Sequence, residues 1–151
     1  NRHFGVTAEY VNTIKTNPLK IDKLMKSYKG RIFFRDGVPS DYADNTADLS
    51  HFLTYADAYH QLMADLVDLC MESLALIIPQ NDPIKTIYIS GSFANNELFV
   101  RLLAARLPKK KVFTSAIDHA AALGAAMVVW DSTFEEEIPI AGIRLKAVLP
   151  E

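Results

Sequence analysis

The sequence predicts an α/β fold: a strand–helix–strand–helix core preceded by one long helix. Three observations predict it. First, residues 55 to 78 place Tyr59, Leu62, Met63, Leu66, Val67, Cys70, Leu74 and Ile77 at three- and four-residue steps, the spacing of one helical face. Second, Lys85-Thr-Ile-Tyr-Ile-Ser90 is a short run rich in Ile and Tyr that ends at Gly91, the pattern of a strand entering a tight turn. Third, a helical stretch to about Leu107 leads to a second strand pattern, Lys111-Val-Phe-Thr114, and then to a helix of small apolar residues from Ala120 to about Trp130. A strand, a crossover helix and a second strand in this order form a right-handed parallel unit.

Taken in order, residues 6 to 28 are expected to be helical in two parts, divided at Asn17-Pro18, with Thr7 in position to cap the first. The second part ends at Lys29-Gly30. Arg31-Ile-Phe-Phe-Arg35 has the aromatic and β-branched content of a short strand. Residues 36 to 50 carry the Asp, Gly, Pro, Ser and Asn of a loop. Pro79 and the polar residues to Pro83 close the long helix. The strand at 85 to 90 is continuous enough in apolar residues to be buried on both faces. Asn95 or Asn96 is placed to cap the following helix, with Leu98, Phe99, Leu102 and Leu103 facing inward. Ser115-Ala-Ile-Asp118 matches a capping pattern before the last helix. Gly124, in the middle of that helix, costs roughly 1 kcal/mol of helix propensity, a cost usually met where another backbone comes close. The run Ile143 to Val148 reads as an edge strand.

The chain has 151 residues, 50% hydrophobic and 23% charged, which suits one globular domain with a substantial core. The expected division is a lead-in over residues 1–50, a core over 51–131 and a tail over 132–151. A net charge of −2 argues against a nucleic-acid or membrane-surface footprint. Lys109-Lys110-Lys111 reads as a solvated turn. The single cysteine, Cys70, excludes an internal disulfide and suits a reducing cytoplasm; in an apolar stripe it reads as a core residue. No stretch has the apolar length of a membrane span, and no signal peptide is visible. Because the chain begins with Asn1, an internal piece of a longer protein is expected.

Ligands of open α/β folds settle at the carboxyl ends of strands, where Ser90-Gly91-Ser92-Phe93 lies. Gly91 permits a positive φ and lets a ligand approach the backbone; Ser92 adds a hydroxyl. Asn95 and Asn96 offer paired donors and acceptors that match the edge of a heterocycle. From spacing alone, a glycine that only makes a turn and asparagines that only cap explain the same residues equally well. A dinucleotide fingerprint is argued against by the missing second and third glycines, and no Walker A sequence is present. His3, His51, His60 and His119 show no metal-ligand spacing, and each is expected at a surface or helix-side position, with His60 able to border the site. Asp57, Asp65 and Asp68 read as a solvated helix face.

Ile87-Tyr-Ile-Ser-Gly-Ser-Phe-Ala-Asn-Asn-Glu-Leu-Phe99 resembles the adenosine motif of the FGGY carbohydrate kinases, and Asp118-His-Ala-Ala-Ala-Leu-Gly-Ala-Ala126 resembles that family's second C-terminal signature. The long helix beginning near Tyr59-His60 is similar to the one that precedes the motif. The resemblance implies a partial ribonuclease H-like domain of the actin, hexokinase and Hsp70 superfamily, of the actin-like ATPase type. It implies ATP and Mg2+ as cofactors, with Gly91, Ser92 and Asn95 or Asn96 on adenine, ribose or the α-phosphate, and Gly124 letting its helix pack behind the nucleotide. Ser92 departs from the family's usual second glycine.

The function implied by the resemblance is the ATP-binding C-terminal portion of a cytoplasmic kinase that phosphorylates a sugar or polyol hydroxyl. The resemblance places the catalytic base upstream, so no catalytic residue is named and this chain by itself is expected to be inactive. Sugar would be held mainly by an N-terminal domain; no nucleic-acid or membrane partner is expected, and a homo-oligomer is left open. The alternative is a non-catalytic nucleotide-binding or protein-interaction module of the same superfamily. An oxidoreductase is a third, disfavoured reading.

Overall fold

A computed structural model describes residues 2–35, 37, 47–79, 82–115, 120–133 and 145–148. The chain divides between Asp82 and Pro83 into two compact units.

The first unit contains helix α1 (Pro18–Ser27) and the long helix α2 (Tyr55–Ile77), with 3-10 segments at Arg2–Phe4, Ala8–Thr13 and Leu49–His51. The predicted division at Asn17-Pro18 has a clear cause. The Asn17 Oδ1 accepts from the Leu19 and Lys20 amides at 3.0 and 3.3 Å, and Pro18 occupies the first helical position, where its missing N–H removes no intrahelical bond. The part before it is helical but of the tighter 3-10 kind, and Thr7 makes no side-chain cap bond. Helix α2 starts on a reciprocal cap. Thr54 Oγ1 accepts from the Asp57 amide at 3.1 Å and donates to Asp57 Oδ2 at 2.6 Å. The ring of Tyr55 is met edge-on by Phe4 and Tyr10 and stacked by Tyr59, tying the first residues of the chain to the start of α2.

Two expectations about this unit are corrected. The predicted strand at Arg31–Arg35 is a bend and turn. The amides of Ile32 and Phe33, which a strand would offer to a neighbour, instead donate to Asp65 Oδ2 at 2.9 and 2.7 Å. Phe34 then takes a positive φ of 56°, incompatible with extended pairing. The buried face of α2 also differs from the apolar stripe. Its buried residues are Ala58, His60, Gln61, Met63, Ala64, Asp65 and Val67, whereas Ile77 is 73% exposed and Cys70 half-buried. Asp65, expected on a solvated face, and His60, expected at a surface or helix-side position, are both buried, because α2 buries a polar network as well as apolar carbon.

The second unit contains β1 (Thr86–Ile89), α3 (Glu97–Arg106), β2 (Lys111–Ser115), α4 (Ala120–Thr133) and β3 (Leu145–Val148). β1 and β2 pair in parallel, Thr86 opposite Lys111 through Ile89 opposite Thr114, with α3 as the connection. β3 pairs antiparallel with the other side of β2, giving the order β1-β2-β3. The sheet is therefore mixed, with its antiparallel member where an edge strand was expected. Leu98, Phe99, Leu102 and Leu103 of α3 are buried as predicted, together with Val112 and Ile89. Side chains of this size contribute about 1.5–3 kcal/mol each when fully buried. β1 is not buried on both faces: Tyr88 is exposed, its ring stacked on Phe113 of the neighbouring strand at 5.7 Å. The capping pattern at Ser115–Asp118 falls mostly outside the described residues, as do His119 and most of the loop expected over residues 36–50.

Candidate functional site: the turn after the first strand

The chain leaves β1 through Ser90 and turns at Gly91, whose φ of 78° and ψ of −165° lie in a region essentially closed to residues with a Cβ. This is one position where glycine is required by geometry. The turn continues as a single 3-10 segment, Ser92–Asn95, closed by the Ala94 amide donating to the Gly91 carbonyl at 3.0 Å and the Asn96 amide to the Phe93 carbonyl at 3.1 Å. Helix α3 begins immediately afterwards.

The two asparagines, interchangeable in sequence, have different positions in the structure. Asn96 caps α3, its Oδ1 accepting from the Phe99 amide at 3.0 Å. Asn95 ends the 3-10 segment and is exposed, as are Ser90, Gly91 and Ser92. Gly91, Ser92, Asn95 and Asn96 are thus brought together on one short turn at the carboxyl end of β1. Gly124 lies apart from that turn in sequence, on α4. It is exposed, and a Cβ built there would meet nothing within 4 Å. No described element of this chain makes the close approach expected of it.

Phe93 lies within the motif, but the sequence assigns it no role. Its ring sits on Phe99 with centroids 4.6 Å apart and a tilt of 42°, yet it remains 46% exposed, whereas Phe99 is buried. The available signal was an aromatic residue at the centre of an otherwise small and polar turn.

Among the described titratable groups, Asp65 in the first unit is the most enclosed: it is fully buried, with Oδ1 accepting from Tyr28 Oη at 2.9 Å and Gln61 Nε2 at 2.7 Å in addition to the two amides on Oδ2. Burial pushes its carboxyl above the ordinary range, against these hydrogen bonds, which pull it down. At the start of α2, the hydrogen bond from Lys20, and then that from Thr54, holds Asp57 below the ordinary range. Burial raises the Cys70 thiol, which keeps it protonated and weakly nucleophilic. The buried His60 has Nδ1 2.7 Å from the Ala56 carbonyl, to which it donates, and its Nε2 makes no hydrogen bond among the described residues. Among the described residues, no three His, Cys, Asp or Glu side chains are grouped to hold a metal ion, and no helix is long and apolar enough to cross a membrane.

A parallel strand–helix–strand unit with a glycine-dependent turn at the carboxyl end of its first strand places the chain among the α/β domains, in which that end of the strand is the usual place for a ligand. Comparison with known families narrows that class: residues 46–129, more than half of the chain, match the C-terminal domain of the FGGY family of carbohydrate kinases. The chain belongs to this family. The matched span includes α2, the Gly91 turn and the sequence around Gly124. Comparison with curated proteins and with solved structures finds no match.

Proposed function

We propose that this chain supplies the nucleotide-binding part of a kinase that transfers the γ-phosphate of ATP to a sugar or polyol hydroxyl. The observation that carries the reading is the Gly91 turn: a backbone conformation reserved for glycine, at the carboxyl end of a parallel strand, within the span that matches a carbohydrate-kinase domain. The backbone at Gly91 and the exposed side chains of Ser92 and Asn95 would meet the adenosine moiety, and Asn96 would hold the turn against α3 rather than touch the ligand. Gly124 would serve the same site by admitting a close neighbour that is not one of the described elements of this chain. The ribonuclease H-like core belongs to the same reading.

Mg2+ would enter with the nucleotide, neutralising its phosphates during transfer; the polar side chains at the turn are hydroxyls and amides, suited to a nucleoside and not to holding a bare divalent cation. No residue of this sequence is assigned as the base that deprotonates the acceptor hydroxyl. Transfer depends on positioning and charge stabilisation in a closed site, so the chain by itself is expected to bind nucleotide without turning it over. A cytoplasmic setting accords with such a reaction.

The test is a calorimetric titration with Mg·ATP, Mg·ADP and NADH, repeated on Asn95→Ala. Adenine-nucleotide binding that Asn95→Ala weakens supports the reading. A chain that binds NADH but neither ATP nor ADP would overturn it in favour of an oxidoreductase, and a folded chain that binds none of the three would favour a non-catalytic interaction module.

A further inference from the structure

The exposed ring of Phe93 has no place in the hydroxyl and amide chemistry of the rest of the turn. A single exposed apolar side chain is ordinary on a protein surface and by itself carries no meaning. Three features set this one apart. Its backbone is fixed, because the hydrogen bonds from Ala94 to Gly91 and from Asn96 to Phe93 close the 3-10 segment around it. Its ring is braced, because it rests on Phe99, itself buried and locked to the start of α3 by the Asn96 cap. The polar residues of the same turn are exposed: Ser92 directly before it in sequence, and Asn95 two residues on, past the half-buried Ala94. A side chain that merely failed to be buried would need none of this support.

A braced aromatic ring left partly in solvent, on a turn that also carries an exposed carboxamide, is a complementary surface for a flat heterocycle. The ring offers a π-face to stack on, and the amide can read a ring edge. We propose that Phe93 is the stacking platform for the base of the bound nucleotide, with Asn95 facing the base edge, so that this turn selects an aromatic base and not merely a phosphate. The inference rests on the nucleotide reading and deepens it: Gly91 opens the backbone, and Phe93 supplies the dispersion contact that small residues at this turn would lack.

The experiment compares ADP with inorganic pyrophosphate as a base-free probe, titrated into the chain and into Phe93→Ala, Phe93→Leu and Phe93→Tyr. Stacking of one base contributes about 1–3 kcal/mol, so Phe93→Ala is expected to weaken ADP by roughly 5- to 150-fold. Phe93→Leu retains an apolar contact with Phe99 and the stability of the turn, and is expected to lose most of the same affinity. Phe93→Tyr keeps the ring and is expected to stay within about threefold of the parent. Pyrophosphate affinity, weak or strong, is expected to be the same in all four proteins. Unchanged ADP affinity in Phe93→Ala, or equal loss in Phe93→Tyr and Phe93→Ala, would overturn the platform while leaving the nucleotide site intact. A parallel loss of pyrophosphate affinity would overturn it too, since the ring would then be shaping the backbone and not touching the base. Failure of the parent chain to bind ADP would place the fault one step earlier, in the nucleotide reading, and the platform would fall with it.

Discussion

Replacing Asp65 separates what a buried carboxylate does as a charge from what it does as an acceptor. In Asp65→Ala, four donors lose this acceptor: the amides of Ile32 and Phe33, the Tyr28 hydroxyl and the Gln61 amide. Tyr28 is half-buried and can turn to water. The Gln61 amide is buried, and Ile32 and Phe33 are half-buried. An unsatisfied buried donor costs about 1–3 kcal/mol. Against this stands the relief of removing a buried charge, whose desolvation outweighs the hydrogen bonds in setting the Asp65 pKa. The balance for Asp65→Ala is a loss of roughly 2–4 kcal/mol. Asp65→Asn should lose only about 1 kcal/mol. Its carbonyl can accept from Ile32 and Phe33 as Oδ2 does now, while its NH2 faces Tyr28 and Gln61, both of which can rotate to present an acceptor.

Native-state hydrogen exchange reads these differences at the affected residues. The Ile32 and Phe33 amides should lose protection strongly in Asp65→Ala and modestly in Asp65→Asn, and Val67 in the buried part of α2 reports the stability of the helix itself. The pH dependence has a definite sign. The folded-state pKa of Asp65 is raised, so its contribution is fully present below the unfolded value of about 3.9 and is lost as pH rises through the folded value. Relative to Asp65→Asn, the parent chain should therefore become less stable as pH rises from about 4. The reasoning is refuted if Asp65→Asn is as damaging as Asp65→Ala, or if Ile32 and Phe33 exchange at the parent rate in Asp65→Ala.

Gly91→Ala should destabilise the second unit by about 1–3 kcal/mol, because φ and ψ at this position are strained for any side chain; urea denaturation followed by Trp130 fluorescence would measure it. Asn96→Ala should cost about 1 kcal/mol through loss of the α3 cap, whereas Asn95→Ala should leave stability within about 0.5 kcal/mol, so thermal melting of the two variants distinguishes the structural asparagine from the exposed one. Gly124→Ala should stabilise the chain by up to about 1 kcal/mol, since the added methyl finds open space on an exposed helix. Destabilisation in the same melt would reveal a close neighbour. Asp57→Asn should flatten the acid limb of stability: a lowered folded pKa gives stability above the unfolded value of about 3.9 that is lost as pH falls through the folded one, and at a half-exposed pair with Lys20 the effect should stay below about 1 kcal/mol.

The parts of this molecule that were legible in the sequence are those whose cause is local. Asn17-Pro18 starts a helix because one side chain reaches two amides within three residues, and the apolar spacing of Leu98, Phe99, Leu102 and Leu103 exposes one face of α3 to burial. The Gly91 turn belongs to this group as well: an Ile-rich strand running into glycine and small polar residues leaves little else for the backbone to do. Arg31–Arg35 shows the other case. Its β-branched and aromatic content expresses a real preference for extended backbone, but a strand needs a partner for its amides, and Asp65 satisfies two of them from 32 and 33 residues away. Nothing in the local pattern signals that competition. The same carboxylate explains why the buried face of α2 departs from its apolar stripe, since a periodicity argument counts Asp as solvent-facing and has no way to weigh four donors converging on it, three of them from another segment.

The candidate site divides along the same line, with consequences for which residues should be tested first. Asn95 and Asn96 are chemically identical neighbours, and only the Phe99 amide, held 3.0 Å from one of them, separates the cap from the exposed carboxamide. Phe93 differs from both because its significance lies in the combination of exposure with support from Phe99. A sequence pattern assigns the same importance to every residue of a motif, whereas the hydrogen bonds and ring contacts sort this one into residues that build the turn, Gly91 and Asn96, and residues that the turn presents, Ser92, Phe93 and Asn95. Substituting the builders should perturb folding and binding together. A clean loss of nucleotide affinity in a protein of unchanged stability is expected only from the presented set.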